Sequence, residues 1–143
     1  MDLPGGQRGA RRSSRSLKGR RILVAEDDWF IADAMAGLLE IEGAAVFGPA
    51  STVAEGAQLA RWWPIDIAVM DLDLQGERAD DLVVELADRD VAVVVVSAYD
   101  AKQAAADKAF ATLQKPVTTA ILLDTLYRAV ASLAFLHIVG PWL

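Results

Sequence analysis

The 143-residue chain contains no cysteine. That absence excludes disulfide frameworks, thiolate zinc sites, iron–sulfur clusters and cysteine nucleophiles together. Histidine occurs once, at His137, which excludes histidine-rich metal sites and a serine triad with its base elsewhere in the chain. Alone on an apolar helix end, His137 reads as a structural or surface residue, because metal and phosphorelay sites need partners it lacks. No run reaches the ~18 apolar residues a membrane span requires. The Arg11-Arg12 pair is not followed by an apolar stretch of signal length, so an export signal is not expected either. The expected protein is soluble and cytoplasmic, and its chemistry must use Asp, Glu, Lys, Ser or Thr.

With 54% hydrophobic and 24% charged residues, the composition suits one packed domain and not a disordered chain. The net charge of −6 conceals an asymmetry. Seven bases (Arg8, Arg11, Arg12, Arg15, Lys18, Arg20, Arg21) lie in residues 1–21 against one acid, Asp2. The remaining 122 residues hold seven bases and nineteen acids. An acidic body argues against nucleic acid as the partner of the folded domain. Residues 1–19 are expected to form a disordered basic arm, residues 20–135 the folded domain, and residues 136–143 an apolar tail extending the last helix.

Along the body two hydrophobic periods alternate. Ile22–Ala25 is a short apolar run ending in Glu26-Asp27-Asp28. Ile31, Met35, Leu38 and Leu39 then fall at helical spacing, with Gly43 as terminator. Ala44–Phe47 reads as a second strand closed by Gly48-Pro49. Ser51 or Thr52 can cap a helix that stops before Pro64, with Glu55 in capping-box register to Thr52. Ile65–Met70 forms a third strand ending in Asp71, and Leu82, Val83 and Leu86 mark a third helix. Val91–Val96, β-branched and unalternating, ends at Ser97 and reads as a strand buried on both faces. An alanine-rich helix near Ala101–Lys108 precedes a fifth strand, Phe110–Gln114. That strand ends at Lys115-Pro116, before a last helix with Leu122, Leu126, Val130 and Leu133. Five such units predict an α/β fold, an open, doubly wound, five-stranded parallel sheet with helices on both faces.

In such a sheet ligands bind beyond the carboxyl ends of the strands. Glu26, Asp27, Asp71, Asp73, Ser97 and Lys115 all fall at that edge. Two carboxylates about 4 Å apart repel by roughly 1 kcal/mol in water and about 4 kcal/mol at an effective dielectric of 20. A hard divalent cation, Mg²⁺, would relieve that repulsion. Mg²⁺, an ammonium and a hydroxyl together suit a phosphoryl group, whose transfer is mostly positioning and charge neutralisation. A carboxylate can itself be the nucleophile.

Ile22-Leu23-Val24-Ala25-Glu26-Asp27-Asp28, Val69-Met70-Asp71-Leu72-Asp73, Val95-Val96-Ser97-Ala98 and Lys115-Pro116 resemble the response-regulator receiver domain of two-component signalling. The resemblance covers about residues 20–135. It implies a flavodoxin-like (βα)5 fold with strand order 2-1-3-4-5 and Asp71 as the phosphoacceptor. It also implies Mg²⁺ held by Glu26, Asp27, Asp71 and the Asp73 carbonyl, with Lys115 and Ser97 on the phosphoryl oxygens and a cis Lys115–Pro116 bond. The implied donor is a histidine kinase or histidine phosphotransferase. Such a phosphoprotein catalyses only its own phosphorylation and dephosphorylation, and a stand-alone receiver signals through an unknown output protein. A homodimer through the last helix and tail is a further expectation.

The chain also departs from the family pattern. Thr112 stands where the usual aromatic switch residue lies, three positions before the Lys. Asp73 and Tyr99 occupy the positions that in this family tune phosphoaspartate lifetime. Two other readings share part of the pattern. A module of the same fold could act without phosphorylation. Asp71-Leu72-Asp73 also resembles the nucleophile motif of haloacid-dehalogenase-like phosphatases, although Gln75 replaces the expected Thr or Val. Trp62-Trp63 is expected as helix-end packing, and Trp29 as a cover or rim of the acid cluster.

Overall fold

The computed structural model describes residues 15–139, with side chains to residue 133. Its elements are β1 (Arg21–Ala25), α1 (Trp29–Ile41), β2 (Ala45–Ala50), α2 (Val53–Trp62), β3 (Ile67–Met70), β4 (Asp73–Leu74) and β5 (Glu77–Arg78). They are followed by α3 (Asp80–Asp88), β6 (Ala92–Ser97), α4 (Gln103–Lys108), β7 (Ala111–Gln114) and α5 (Thr119–Val139). The main sheet runs β2-β1-β3-β6-β7, all parallel. Counting those five strands alone, the order is the expected 2-1-3-4-5.

Burial on both faces explains why the three central strands, β1, β3 and β6, lack polar alternation. Side chains along a strand point alternately to opposite faces, and here both faces are covered. Ile22, Val24, Ile67, Val69, Val94 and Val96 pack with Met35 and Leu39 of α1 and Leu122 and Leu126 of α5. Leu23, Ala25, Ala68, Met70, Val93 and Val95 pack with Leu82, Val83 and Leu86 of α3 and Ala105 of α4. Each fully buried Val, Leu or Ile contributes about 1.5–3 kcal/mol relative to exposure.

Local chemistry sets the element ends. The Asp28 carboxylate caps α1, accepting from the Phe30 and Ile31 amides at 3.0 and 3.3 Å. Thr52 Oγ1 accepts from Glu55 N at 3.1 Å, while Glu55 Oε2 accepts from Ser51 N, also at 3.1 Å. The capping box is therefore present, with its return bond one residue earlier than the ideal pattern. In β2, Gly48 (φ +102°) sits where β1 and β2 slip register. A Cβ there would lie 2.7 Å from the Val24 carbonyl oxygen and from Ala50 N, so only glycine fits.

Several expectations change. Residues 15–19, assigned by composition to the arm, belong to the packed body: Leu17 is fully buried and Lys18 lies against Gly43. Residues 1–14 and 140–143 lie outside the described residues, as does the side chain of His137. The α5 backbone stays helical to Val139, into the segment expected to extend it. Ile31 is 38% exposed, because Ala32 and Ala36 form the buried stripe of α1 with Met35 and Leu39. Trp62 and Trp63 remain largely exposed, with only Trp63 resting on Phe47, ring centroids 5.6 Å apart. Trp29 is exposed and stacks on Phe30. Among the described residues no helix is long and apolar enough to cross a membrane.

Candidate functional site

The carboxyl ends of β1, β3, β6 and β7 deliver the polar residues. Parallel pairing puts Ala25 beside Met70, Met70 beside Val95, and Ser97 beside Gln114. The next residues outward, Glu26, Asp71 and Lys115, therefore emerge at one edge. Glu26 and Asp71 are buried, at 3% and 8% exposure, and Ser97 is at 1%. Asp27 is exposed.

One oxygen from each of Glu26, Asp27 and Asp71 lies within 4.8 Å of the other two. Lys115 Nζ bridges two of these acids, donating to Glu26 Oε1 at 2.6 Å and to Asp71 Oδ2 at 2.9 Å. Ser97 Oγ donates to Asp71 Oδ1 at 2.9 Å, and the Asp73 amide donates to the same oxygen at 3.2 Å. The Asp28 amide donates to Glu26 Oε2 at 3.0 Å. Lys115–Pro116 is cis, as the resemblance implies.

Lys115 brings one positive charge to two of the three clustered acids, which offsets part of their mutual repulsion and leaves net negative charge at the site. No buried side-chain polar atom among the described residues is left without a partner. Burial raises the Glu26 pKa above the ordinary carboxylate value, outweighing the hydrogen bonds from Lys115 and the Asp28 amide. Burial acts on Lys115 in the lowering direction, but its bonds to Glu26 and Asp71 prevail and raise its pKa. The ammonium therefore stays charged at neutral pH.

Asp73 differs from the other acids. Its carboxylate accepts from Gly76 N at 2.9 Å and is not in the cluster, so any part it plays toward a metal falls to its carbonyl. The reason is a hairpin that short-range patterning does not reveal. β4 and β5 pair antiparallel around Gln75 and Gly76, with φ of 54° and 85°, the double positive of a type I′ turn. The turn carries Gln75 N to 2.7 Å from Asp27 Oδ2, fixing the one exposed acid of the cluster. Two-residue strands are too short for periodicity to find. The Gln-Gly pair that begins four residues beyond Asp71 was the available signal.

Beyond the cluster, Arg78 donates to Asp80 Oδ1 at 2.8 Å, and Asp80 Oδ2 accepts from Lys102 N at 2.8 Å. Burial works to raise the Asp80 pKa, but the bonds from Arg78 and the Lys102 amide prevail and hold it below the usual carboxylate range.

The donor set fits Mg²⁺: three hard carboxylate oxygens spaced for one small ion, in a site open on the Asp27 side. A group bound at Asp71 would meet an ammonium and a hydroxyl already in place.

Comparison with known proteins agrees with this geometry. The chain is 32% identical over 117 residues to the transcriptional regulatory protein PdtaR of Mycobacterium tuberculosis, a match covering 78% of this chain and 57% of that protein. It thus spans little more than half the length of that relative. A response regulator receiver domain from Clostridium thermocellum superposes with a TM-score of 0.72 at 28% identity, covering 82% of this chain and 98% of the other. A response regulator from Burkholderia pseudomallei, whose structure holds a phosphorylated aspartic acid, a calcium ion and citrate, gives 0.66 at 28% identity over 80% of this chain and 71% of the other. The response regulator receiver domain family matches residues 22–127. That match takes in every clustered acid, Ser97 and Lys115, and displaces the phosphatase reading of Asp71-Leu72-Asp73. This chain belongs to the response regulator receiver domains of two-component signalling.

Proposed function

We propose that Asp71 accepts a phosphoryl group from a phosphohistidine on a histidine kinase or histidine phosphotransferase, and that the phosphorylated domain signals through a partner protein. An Asp71 carboxylate oxygen attacks phosphorus, an O–P bond forms, and the P–N bond breaks with its electron pair returning to the imidazole nitrogen. Lys115 follows the charge from the carboxylate to the phosphoryl oxygens, and the Ser97 hydroxyl donates to another of them. Glu26, kept beside Lys115 by burial and a 2.6 Å bond, holds that ammonium in position. Mg²⁺ held by Glu26, Asp27, Asp71 and the Asp73 carbonyl would neutralise phosphoryl charge when bound.

The observation that carries this reading is the convergence of Lys115 Nζ and Ser97 Oγ on opposite oxygens of one buried carboxylate. Incubation with phosphoramidate and Mg²⁺, followed by intact-mass spectrometry, tests it. One phosphoryl adduct is expected in wild type, none in Asp71→Asn, and a strongly slowed reaction in Lys115→Ala. An adduct that survives Asp71→Asn, or none in wild type, overturns the assignment.

A further inference from the structure

The oxygens of the three clustered carboxylates are unequally engaged. Lys115 Nζ and the Asp28 amide donate to the two oxygens of Glu26. Ser97 Oγ and the Asp73 amide donate to one oxygen of Asp71, and Lys115 Nζ to the other. Asp27 Oδ2 accepts from Gln75 N at 2.7 Å. Among the described residues, Asp27 Oδ1 is the one oxygen of the set to which no protein donor is hydrogen-bonded.

The amide that holds Asp27 sits on an anchored platform. Leu74, directly before Gln75, is buried in the same apolar cluster as Leu82 and Val83 of α3. Gly76 N, directly after, donates to Asp73 Oδ1 at 2.9 Å. At the end of β5, Arg78 donates to Asp80 at 2.8 Å and to the Asp100 carbonyl at 3.0 Å. A hairpin fastened at these points does not follow the Asp27 side chain when that side chain turns. The turn instead breaks the bond to Gln75 N, and hydrogen bonds to charged groups are the strong ones.

We propose that Gln75 is a positioning residue whose main-chain amide holds Asp27 as a one-oxygen ligand and thereby sets the preference of the site for Mg²⁺ over Ca²⁺. The inference rests on the reading of Glu26, Asp27 and Asp71 as cation ligands. Mg²⁺ is small and keeps several waters, so Asp27 Oδ1 serves it with the Gln75 bond intact. Ca²⁺ is larger, takes about six to eight oxygens and fills its shell with carboxylates that give two oxygens each. Asp27 gives Ca²⁺ its second oxygen only by losing the bond to Gln75 N. That loss falls on Ca²⁺ alone. Gln75 acts through its N–H, which the left-handed φ of 54° aims at Asp27.

Titration of the isotope-labelled full chain with magnesium chloride or calcium chloride, followed through its amide resonances, gives a dissociation constant for each cation. Wild type is expected to bind Mg²⁺ more tightly. Proline has no N–H, so Gln75→Pro should move the ratio of the two constants about tenfold toward Ca²⁺. Gln75→Gly keeps the N–H and accepts the left-handed backbone, and should hold the ratio within about twofold of wild type. A role confined to folding of the hairpin would weaken both cations together and leave the ratio where it was. Solvent exchange of the Gln75 amide proton gives a second reading in wild type, whether or not Gln75→Pro folds. It is expected to be about tenfold slower in saturating Mg²⁺ than in saturating Ca²⁺. Tighter binding of Ca²⁺ by wild type, an unchanged ratio in Gln75→Pro, an equal change in Gln75→Gly, or equal exchange under the two cations overturns the proposal. If neither cation binds wild type, the ligand assignment itself fails, and the proposal with it.

Discussion

The Lys115 ammonium stands 2.6 Å from Glu26 and 2.9 Å from Asp71, so the group that would meet a phosphoryl oxygen is already engaged by two carboxylates. Lys115 is 22% exposed and Glu26 3%. Removing one partner of such a pair leaves uncompensated buried charge. Lys115→Ala is therefore expected to destabilise the fold by about 2–3 kcal/mol, near the low end for buried pairs because Lys115 is partly solvated. Millimolar Mg²⁺ should recover more stability in this variant than in wild type. Urea denaturation with and without Mg²⁺ measures both effects.

Asp27 offers a way to separate cation binding from folding. It is the exposed member of the acid cluster, and its amide partner, Gln75 N, can also turn to an Asn oxygen. A ligand at ten times its dissociation constant stabilises by about 1.4 kcal/mol. Mg²⁺ titrated against thermal unfolding should raise the wild-type midpoint by the few degrees this implies. In Asp27→Asn the metal-free midpoint should be nearly unchanged and the Mg²⁺ response mostly lost. An undiminished response in the variant would remove Asp27 from the ligand set.

Asp80 sets a pH dependence whose sign follows from its pairing. Its carboxyl titrates below the ordinary range because Arg78 and the Lys102 amide outweigh burial. The stabilisation is therefore complete above the unfolded-state value of about 3.9. It is lost as pH falls through the lower folded-state value. Asp80→Asn should cost about 1–2 kcal/mol at pH 7, discounted for the partial exposure of Arg78. The difference between variant and wild type should shrink below about pH 4. Denaturation curves at pH 7 and pH 3 test the sign, and a difference that widened in acid would contradict it.

The Gln75-Gly76 turn makes a backbone prediction. A Cβ on Gly76 meets no atom within 4 Å, so only its φ of 85° resists substitution. Gly76→Ala should destabilise by about 1–2 kcal/mol. Gln75→Asn, better suited to the left-handed region, should stabilise by a few tenths of a kcal/mol. Thermal melts of the two variants should shift in opposite directions.

Much of the fold was legible because each central strand carries apolar residues at consecutive positions, which only a sheet covered on both faces explains. The site was legible for the same reason: Glu26, Asp71, Ser97 and Lys115 interrupt or end those runs at the same edge. What escaped was set by backbone geometry and by contacts distant in sequence. The β4–β5 hairpin depends on two left-handed residues, one of them Gln75. The Arg78–Asp80–Lys102 connection joins side chains and an amide 22 or more residues apart, with no local period to announce it. Asp28, grouped by charge with its neighbours, turned out to be a helix cap. Ile31 fitted an apolar stripe, yet the smaller Ala32 and Ala36 take the buried face of α1.

The run Glu26-Asp27-Asp28 divides three tasks among three adjacent acids. Glu26 steadies Lys115, Asp27 receives the hairpin amide, and Asp28 starts α1. Because each task is tied to a direction along the emerging chain, this junction has no slack. Deleting or inserting a single residue there would hand every acid its neighbour's assignment, so that a length change too small to disturb the core would dismantle the cluster, the turn and the helix start in one step.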